Sequence, residues 1–317
     1  MTFNNDLIKK LPKVEGRLTE NASLAKTSWF GVGGVAEVLF KPKDINDLVN
    51  FIKNCPKEIP ITPLGVSSNL IIRDGGIEGV VIKLGREFNK IEIIEDNKIK
   101  VGAAVLDINV ANFAKDNSIK GFEFLSGIPG SMGGALRMNA GAYGGEIKDI
   151  LEYAEVIFST GELKKVTAEE MGLSYRHNSL PKDVIFVSAI FKGEAGNKTE
   201  IEERIKEIKD KKEATQPVRQ KTGGSTFANP EGHSAWKLID EVGLRGFKIG
   251  DAQISEKHTN FMLNTGNATA ADLERLGEEA RKRVYDKFGV TLRWEIKRIG
   301  IPLAEDKDIL EFMKQEN

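Results

Sequence analysis

Residues 127–145 read GIPGSMGGALRMNAGAYGG. Seven of these nineteen residues are glycine. Glycine removes Cβ atoms where the chain turns and lets backbone amides approach a bound group closely. The stretch holds no lysine, so it is not the phosphate loop that ends in Gly-Lys-Ser/Thr. It holds no histidine, cysteine or acidic pair, so it is not a metal cage. Read as a loop, the IPG turn followed by SMGGA predicts consecutive amides that form a concave surface of donors. Such a surface binds an anion or a flat cofactor through the backbone.

A second stretch of the same kind lies upstream. Residues 63–76, PLGVSSNLIIRDGG, read as a strand that ends in a Gly-Val-Ser-Ser-Asn turn. Small hydroxyls and free amides there suit a diphosphate. Two amide-presenting loops in adjacent domains are suited to grip a dinucleotide without a cationic side chain. The hexapeptide GVGGVA at 31–36 matches a dinucleotide fingerprint only on paper. That fingerprint needs a strand before it and a helix after it, whereas TSWF precedes and a strand broken by Pro42 follows. Its glycines are assigned to a turn.

The composition sets the frame. The chain has 317 residues, enough for two or three domains. Hydrophobic residues make up 40% and charged residues 29%, an ordinary globular balance. A net charge of −1 gives no bulk attraction to nucleic acid or to an anionic membrane, so neither is expected as a partner. Cys55 is the single cysteine, which excludes an intramolecular disulfide and fits a reducing compartment. No secretory signal or long apolar run is seen. The expectation is a cytoplasmic, soluble protein of mixed helix and strand.

Punctuation divides the chain. Residues 35–41 alternate as a strand, Asp44 caps a helix from Ile45, and glycine-punctuated strands follow to about residue 85. Residues 90–103 read as a hairpin turning at Asp96-Asn97. Asp107 is predicted to cap the next helix, and three further strands lead to about 197. Residues 199–214 form a charged helix with a narrow stripe of Ile201, Ile205 and Ile208, read as a solvated connector. The pairs Glu202–Lys206 and Glu207–Lys211 have the i,i+4 spacing. Ser234 is predicted to cap one later helix and Thr269 a longer one, closed by Gly289. Residues 290–300, VTLRWEIKRIG less its glycine punctuation, alternate like a strand. The expected units are 1–85, 86–197, 198–303 and a tail at 304–317.

Residues 220–232, QKTGGSTFANPEG, place Ser225 after two glycines, with its hydroxyl open to a ligand. It is no nucleophile elbow, because Phe227 stands where G-x-S-x-G needs glycine. None of His177, His233 and His258 is an obvious local base for it. Glu295 shares a strand face with Arg293 and Lys297 and reads alone as a solvated or paired residue. Arg176, in LSYRHNSLP, reads locally as an ordinary loop arginine.

Taken together, TSWFGVGGVAEVLFKP, PLGVSSNLIIRDGG, GFEFLSGIPGSMGGALRMNAGAYGGEI, YRHNS, QPVRQKTGGSTFANP and LRWEIKRIG occur in an order that resembles the UDP-N-acetylenolpyruvoylglucosamine reductases. These are flavoenzymes of cell-wall precursor synthesis. The resemblance spans residues 27–300. It implies an α+β fold: an FAD-binding module of two subdomains, of the vanillyl-alcohol-oxidase (PCMH) type, plus a C-terminal α+β substrate domain.

It further implies noncovalent FAD, held by Gly65, Ser67, Ser68 and Asn69 from one loop. Gly127, Pro129, Gly130, Ser131, Gly133, Gly134, Ala135, Asn139, Gly141 and Ala142 would hold it from the other. NADPH is the implied hydride donor. The implied substrate is UDP-N-acetylglucosamine enolpyruvate and the product is UDP-N-acetylmuramate. Hydride goes to C3 of the enolpyruvyl group, and charge develops toward C2 and its carboxylate. Arg176 matches the arginine that meets that charge, Glu295 its partner, and Ser225 the proton donor to C2. Asn229 and Tyr175 match substrate contacts.

No metal is implied, and a monomer is expected. The chain departs from the pattern at Asn178, where serine is usual, and at Ala228, where a basic residue is usual. Arg219, Lys221 or Lys237 would then supply the missing charge. The chain resembles the shorter family type. Two other readings are a flavin oxidase with covalent cofactor and a nucleotide-sugar binding module without chemistry.

Overall fold

The computed structural model describes residues 2–3 and 6–311, so residues 312–317 of the expected tail lie outside the described residues. After a short 3-10 turn at Leu7–Lys10 comes the first strand, β1 (Arg17–Ser23), which the sequence reading did not anticipate. Its polar sequence RLTENAS gives no buried face, and its position comes from antiparallel pairing with β2 (Val35–Lys41). Strand β2 alternates as predicted, with Ala36, Val38 and Phe40 buried. Helix α1 (Ile45–Asn54) starts where Asp44 accepts the amides of Asn46 and Asp47 at 2.9 and 3.0 Å. Strands β3 (Ile61–Pro63), β4 (Leu70–Ile72) and β5 (Ile77–Ile82) follow. The first sheet has the order β1-β2-β5-β3, and β4 stands outside it.

The second sheet begins with the predicted hairpin, β6 (Ile91–Glu95) and β7 (Lys98–Gly102), with Asn97 in the left-handed region at its turn. Residues 151–157, 163–167 and 185–192 complete a five-stranded antiparallel sheet. Helix α2 (Asp107–Asp116) corrects one expectation. Asp107 is not its cap: Leu106 takes that position, and Asp107 is a fully buried first helical residue.

The glycine run corrects another. Its centre is not loop but helix α3 (Met132–Met138), whose Met132, Ala135 and Leu136 are buried in the second core with Phe122, Phe191 and Val101. The i, i+3, i+4 spacing of these three residues is the helical signal that the glycines obscured.

Helix α4 (Lys198–Thr215) is no free connector. Ile201 and Ile208 are buried, and a methyl group at Gly127 would lie 3.2 Å from Ile208. The helix therefore packs on the second subdomain. The Glu207–Lys211 pair forms at 2.6 Å, but Lys206 turns to Asp210 rather than to Glu202.

The third unit is an antiparallel sheet of residues 221–225, 261–264, 252–254 and 248–249, with α5 (Ala235–Glu241) and α6 (Ala270–Phe288) in the same unit. Ser234 precedes α5 without a side-chain capping bond, and Asn229 Oδ1 accepts the Ala235 amide instead, at 3.0 Å. In α6 both arms of the Thr269–Asp272 capping box are present, and Gly289 ends the helix in the left-handed region.

The closing stretch is less regular than its alternation suggests. Leu292, Trp294 and Ile296 are buried, yet only Lys297–Ile299 is strand. That strand pairs in parallel with β4, so the end of the expected third unit belongs to the first. The third core in turn includes Phe30, Val32 and Ile71. No helix among the described residues is long and apolar enough to cross a membrane.

Candidate active site

Ser225 owes its position to an irregular strand. The register between residues 221–225 and 261–264 shifts between Thr222 and Ser225, with Gly224 left-handed, and Ser225 then faces Phe261. A bulge of this kind re-aims the side chain that follows it. The next residues are pinned. Thr226 donates its amide to Asn260 O at 2.7 Å. Asn260 accepts the Phe227 amide through Oδ1 at 3.0 Å and donates Nδ2 to Phe227 O at 2.8 Å. Asn260 is a positioning residue that the sequence reading missed, since it lies 33 residues from the serine loop.

Thr226 also ties this loop to Glu295, whose amide donates to Thr226 O at 2.8 Å. Glu295 Oε1 in turn accepts Arg176 Nε at 2.9 Å, and Arg176 Nη2 donates to Gly141 O at 2.8 Å. Both ionic side chains are mostly shielded, at 21% and 16% exposure. Residues 119 apart in sequence are thus joined with the backbone of the glycine segment.

Arg176 is held in a costly conformation. Ser174 and His177 bond to each other's backbone, leaving Tyr175 and Arg176 as a two-residue turn. Arg176 has φ 53°, a left-handed position that costs a Cβ-bearing residue about 1–2 kcal/mol. Glycine or asparagine would fit this backbone better, so the arginine stands there at a conformational cost. The turn is fixed to α3: Asn178 Nδ2 donates to Leu136 O, and Asn139 Nδ2 donates to Ser174 O, both at 3.0 Å. Asparagine at the unusual position 178 therefore has a structural role. Asn139 is buried, with its other bonds to Glu146 and the Lys148 amide, so its side chain is spent on the fold.

The two amide loops meet. A methyl group at Gly65 would lie 2.9 Å from Ser131 Oγ. Asn69 Nδ2 donates to Glu295 O at 3.2 Å, and Lys297 N donates to Asn69 O at 3.1 Å. Ser67, at φ 58°, carries a buried hydroxyl with no protein partner. A methyl at Gly134 would meet nothing within 4 Å, which leaves its face open.

The donor surface is narrower than expected. The amides of Met132 and Gly133 donate to Val105 O and Ala103 O at 2.8 and 2.9 Å, and that of Ala135 bonds to Ser131 O. Gly127 is glycine because a methyl there would strike the Tyr143 ring at 2.6 Å. Orphaned hydroxyl, open glycine face and converging loops fit a bound dinucleotide.

The remaining expected residues are less gathered. Tyr175 is 57% exposed, with the Arg176 guanidinium over its ring. Ala228 is buried and donates to Arg293 O, so a basic side chain has no place there. Lys237 lies over the Trp236 ring, and Lys221 lies by Gly31. Arg219 lines a separate cleft of about 540 Å³ with Lys257, Glu213 and Glu256, which does not include Ser225, Arg176 or Glu295.

The fold and site define an FAD-dependent oxidoreductase. A family described as "FAD binding domain" matches residues 36–167, and "UDP-N-acetylenolpyruvoylglucosamine reductase, C-terminal domain" matches 216–299. A UDP-N-acetylenolpyruvoylglucosamine reductase of Parvibaculum lavamentivorans is 53% identical over 295 residues, covering 93% of this chain and 95% of that one. The protein of the same name from Gluconobacter oxydans is 53% identical over 300 residues, covering 95% and 97%. The crystal structure of the Thermus caldophilus UDP-N-acetylenolpyruvylglucosamine reductase superposes with a TM-score of 0.78 at 36% identity, covering 90% of this chain and 100% of that one. The chain belongs to the UDP-N-acetylenolpyruvoylglucosamine reductase family.

Proposed function

We propose that the protein reduces UDP-N-acetylglucosamine enolpyruvate to UDP-N-acetylmuramate, a step of peptidoglycan precursor synthesis, with NADPH as donor and FAD as carrier. The bound flavin supplies hydride at the enolpyruvyl C3. The chain's own residues manage the charge and the proton. Arg176, strained into place and paired with Glu295, is the observation that carries the reading. Its guanidinium joins Glu295 and the Gly141 carbonyl and would meet the substrate carboxylate, where charge grows in the transition state. Ser225, fixed by the bulge and the Asn260 clamp, gives its proton to C2. Asn229 and Tyr175 contact the nucleotide sugar. The loops at 65–69 and 127–142 would hold the cofactor, with the unpartnered Ser67 hydroxyl and the open Gly134 face available to it. A monomeric state and a cytoplasmic location belong to the same reading; the single cysteine, Cys55, buried and unpaired, suits a reducing compartment.

The visible spectrum of the purified protein tests the cofactor first: flavin bands that leave the chain on denaturation are expected. Bands that stay with the denatured chain would indicate a covalent flavin oxidase instead. Turnover of NADPH should require the enolpyruvyl substrate.

Glu295→Gln tests the pair. It keeps the shape and removes the charge that orients Arg176. Misplacement of the guanidinium is expected to slow the second half-reaction about 10- to 100-fold and the first much less. Equal slowing of both, in rapid-mixing measurements, would leave Glu295 with a structural role only.

A further inference from the structure

Asp107 is 0% exposed, and neither of its carboxylate oxygens has a partner in the protein. Buried polar atoms without partners are rare and call for a physical account. Asp107 is not remote from the site. Its amide donates to Gly130 O at 3.1 Å, and the neighbouring Leu106 pairs with Ser131. A methyl group at Gly130 would lie 2.9 Å from Asp107 Oδ2 and 3.5 Å from Ser68 Oγ. The carboxyl group therefore sits directly under the Gly130 bend, which Ser68 of the other loop also approaches.

Among the described residues no cationic side chain bonds to it. The 65–69 loop presents Ser67 and Ser68, and the bend presents Ser131, all uncharged. Among charged residues of the elements around α2, Glu123 accepts the Gly121 amide, Arg137 bonds to Leu180 O and Val184 O, and Arg204 bonds to Glu207 and Tyr143 O. Lys115 and Lys198 pair with Asp116, and Lys120 pairs with Glu194. Burial alone, with no neighbouring charge, pushes the Asp107 carboxyl well above the usual carboxylate range.

We propose that Asp107 is a proton-linked part of the cofactor cradle: a neutral carboxylic acid beneath the Gly130 bend whose ionisation weakens the hold on the FAD diphosphate. This rests on the assignment of the two loops to that diphosphate. A neutral acid offers an O–H donor at the junction and adds no charge. Its ionised form places a buried negative charge below two phosphates, with no counter-ion between them. Linkage fixes the sign. The dianionic diphosphate favours the protonated acid, so the proton favours FAD by the same factor. Affinity is then full below the acid's cofactor-free pKa and falls as pH rises through it, above the ordinary carboxylate range.

The test dilutes the holoenzyme between pH 6 and 10 and reads released FAD by its fluorescence. Wild-type affinity is expected to weaken by about tenfold or more across this range. Asp107→Asn, neutral and of similar shape, is expected to match wild type at pH 6 and to lose the slope. A flat wild-type profile, equal slopes in both proteins, or a folded variant that releases FAD readily at pH 6 would each overturn the proposal. Should the variant not fold, the infrared band of a protonated aspartic acid in wild-type protein labelled with 13C-aspartate decides. At fixed alkaline pH it should grow when FAD is added, and a band that does not change overturns the proposal. A protein that retains no FAD at any pH would overturn the loop assignment itself, whereas FAD retained with a flat profile overturns only the role of Asp107.

Discussion

Replacing Ser225 by alanine is expected to leave FAD bound and reducible by NADPH, while reoxidation by the enolpyruvyl substrate slows by about 10²–10⁴. Gly224 and the register shift re-aim Ser225 as it pairs with Phe261, and the Asn260 clamp fixes the residues that follow. None of these bonds uses the serine hydroxyl, so alanine preserves the loop. The side chain is only half-buried, so little packing is lost. What disappears is the hydroxyl proposed as the proton donor for C2. A serine hydroxyl is a weak acid against water, but a developing carbanion is a strong enough base to take its proton. Rapid mixing separates the two halves of the reaction. Reoxidation within about tenfold of wild type would assign the proton to another donor.

The second large effect concerns stability. Arg73 Nε and Nη2 grip both oxygens of Glu274 at 2.8 and 3.0 Å, with side chains 5% and 0% exposed. Arg73 follows β4, in the first unit, and Glu274 lies in α6 of the third. Arg298, from the returning strand, comes within 3.3 Å of Glu278, which also accepts the Trp294 indole at 2.7 Å. Glu274→Leu strips the buried Arg73 guanidinium of its carboxylate and is expected to cost about 3–5 kcal/mol. A matching fall in the urea midpoint would register it. Adding Arg73→Met should restore much of the loss, because an apolar pair of similar volume carries no desolvation penalty. A single-variant loss below about 1 kcal/mol would mean that water reaches the pair.

The elements legible in the sequence were those with a local cause. Asp44, the Thr269–Asp272 box, Gly289 and the Asp96–Asn97 turn each act within a few residues. Local reading failed where distant contacts decide. The helical face of Met132, Ala135 and Leu136 was hidden by glycines whose absent Cβ atoms answer to Tyr143 and Ala103, elsewhere in the fold. Asp107 looked like a cap because acids favour that position, yet its carboxyl faces a bend 23 residues onward. β1 has no apolar face to betray it. Arg176 and Glu295 were ordinary residues until motif resemblance joined them, since no local pattern links positions so far apart.

The parallel pairing of Lys297–Ile299 with Leu70–Ile72 has a consequence for biosynthesis. Chains are made from the N-terminus, and units begin to fold as they emerge from the ribosome. The first two units can bury most of their cores early, but β4 must wait for a partner more than two hundred residues downstream. Glu295 arrives with that partner. Until then Arg176 lacks its carboxylate and Asn69 lacks the carbonyl it binds. A nascent chain stalled before residue 295 would therefore present the proposed cofactor loops without the Arg176–Glu295 pair, so on the proposed mechanism an unfinished polypeptide is poorly placed to run the hydride step uncoupled from its proton.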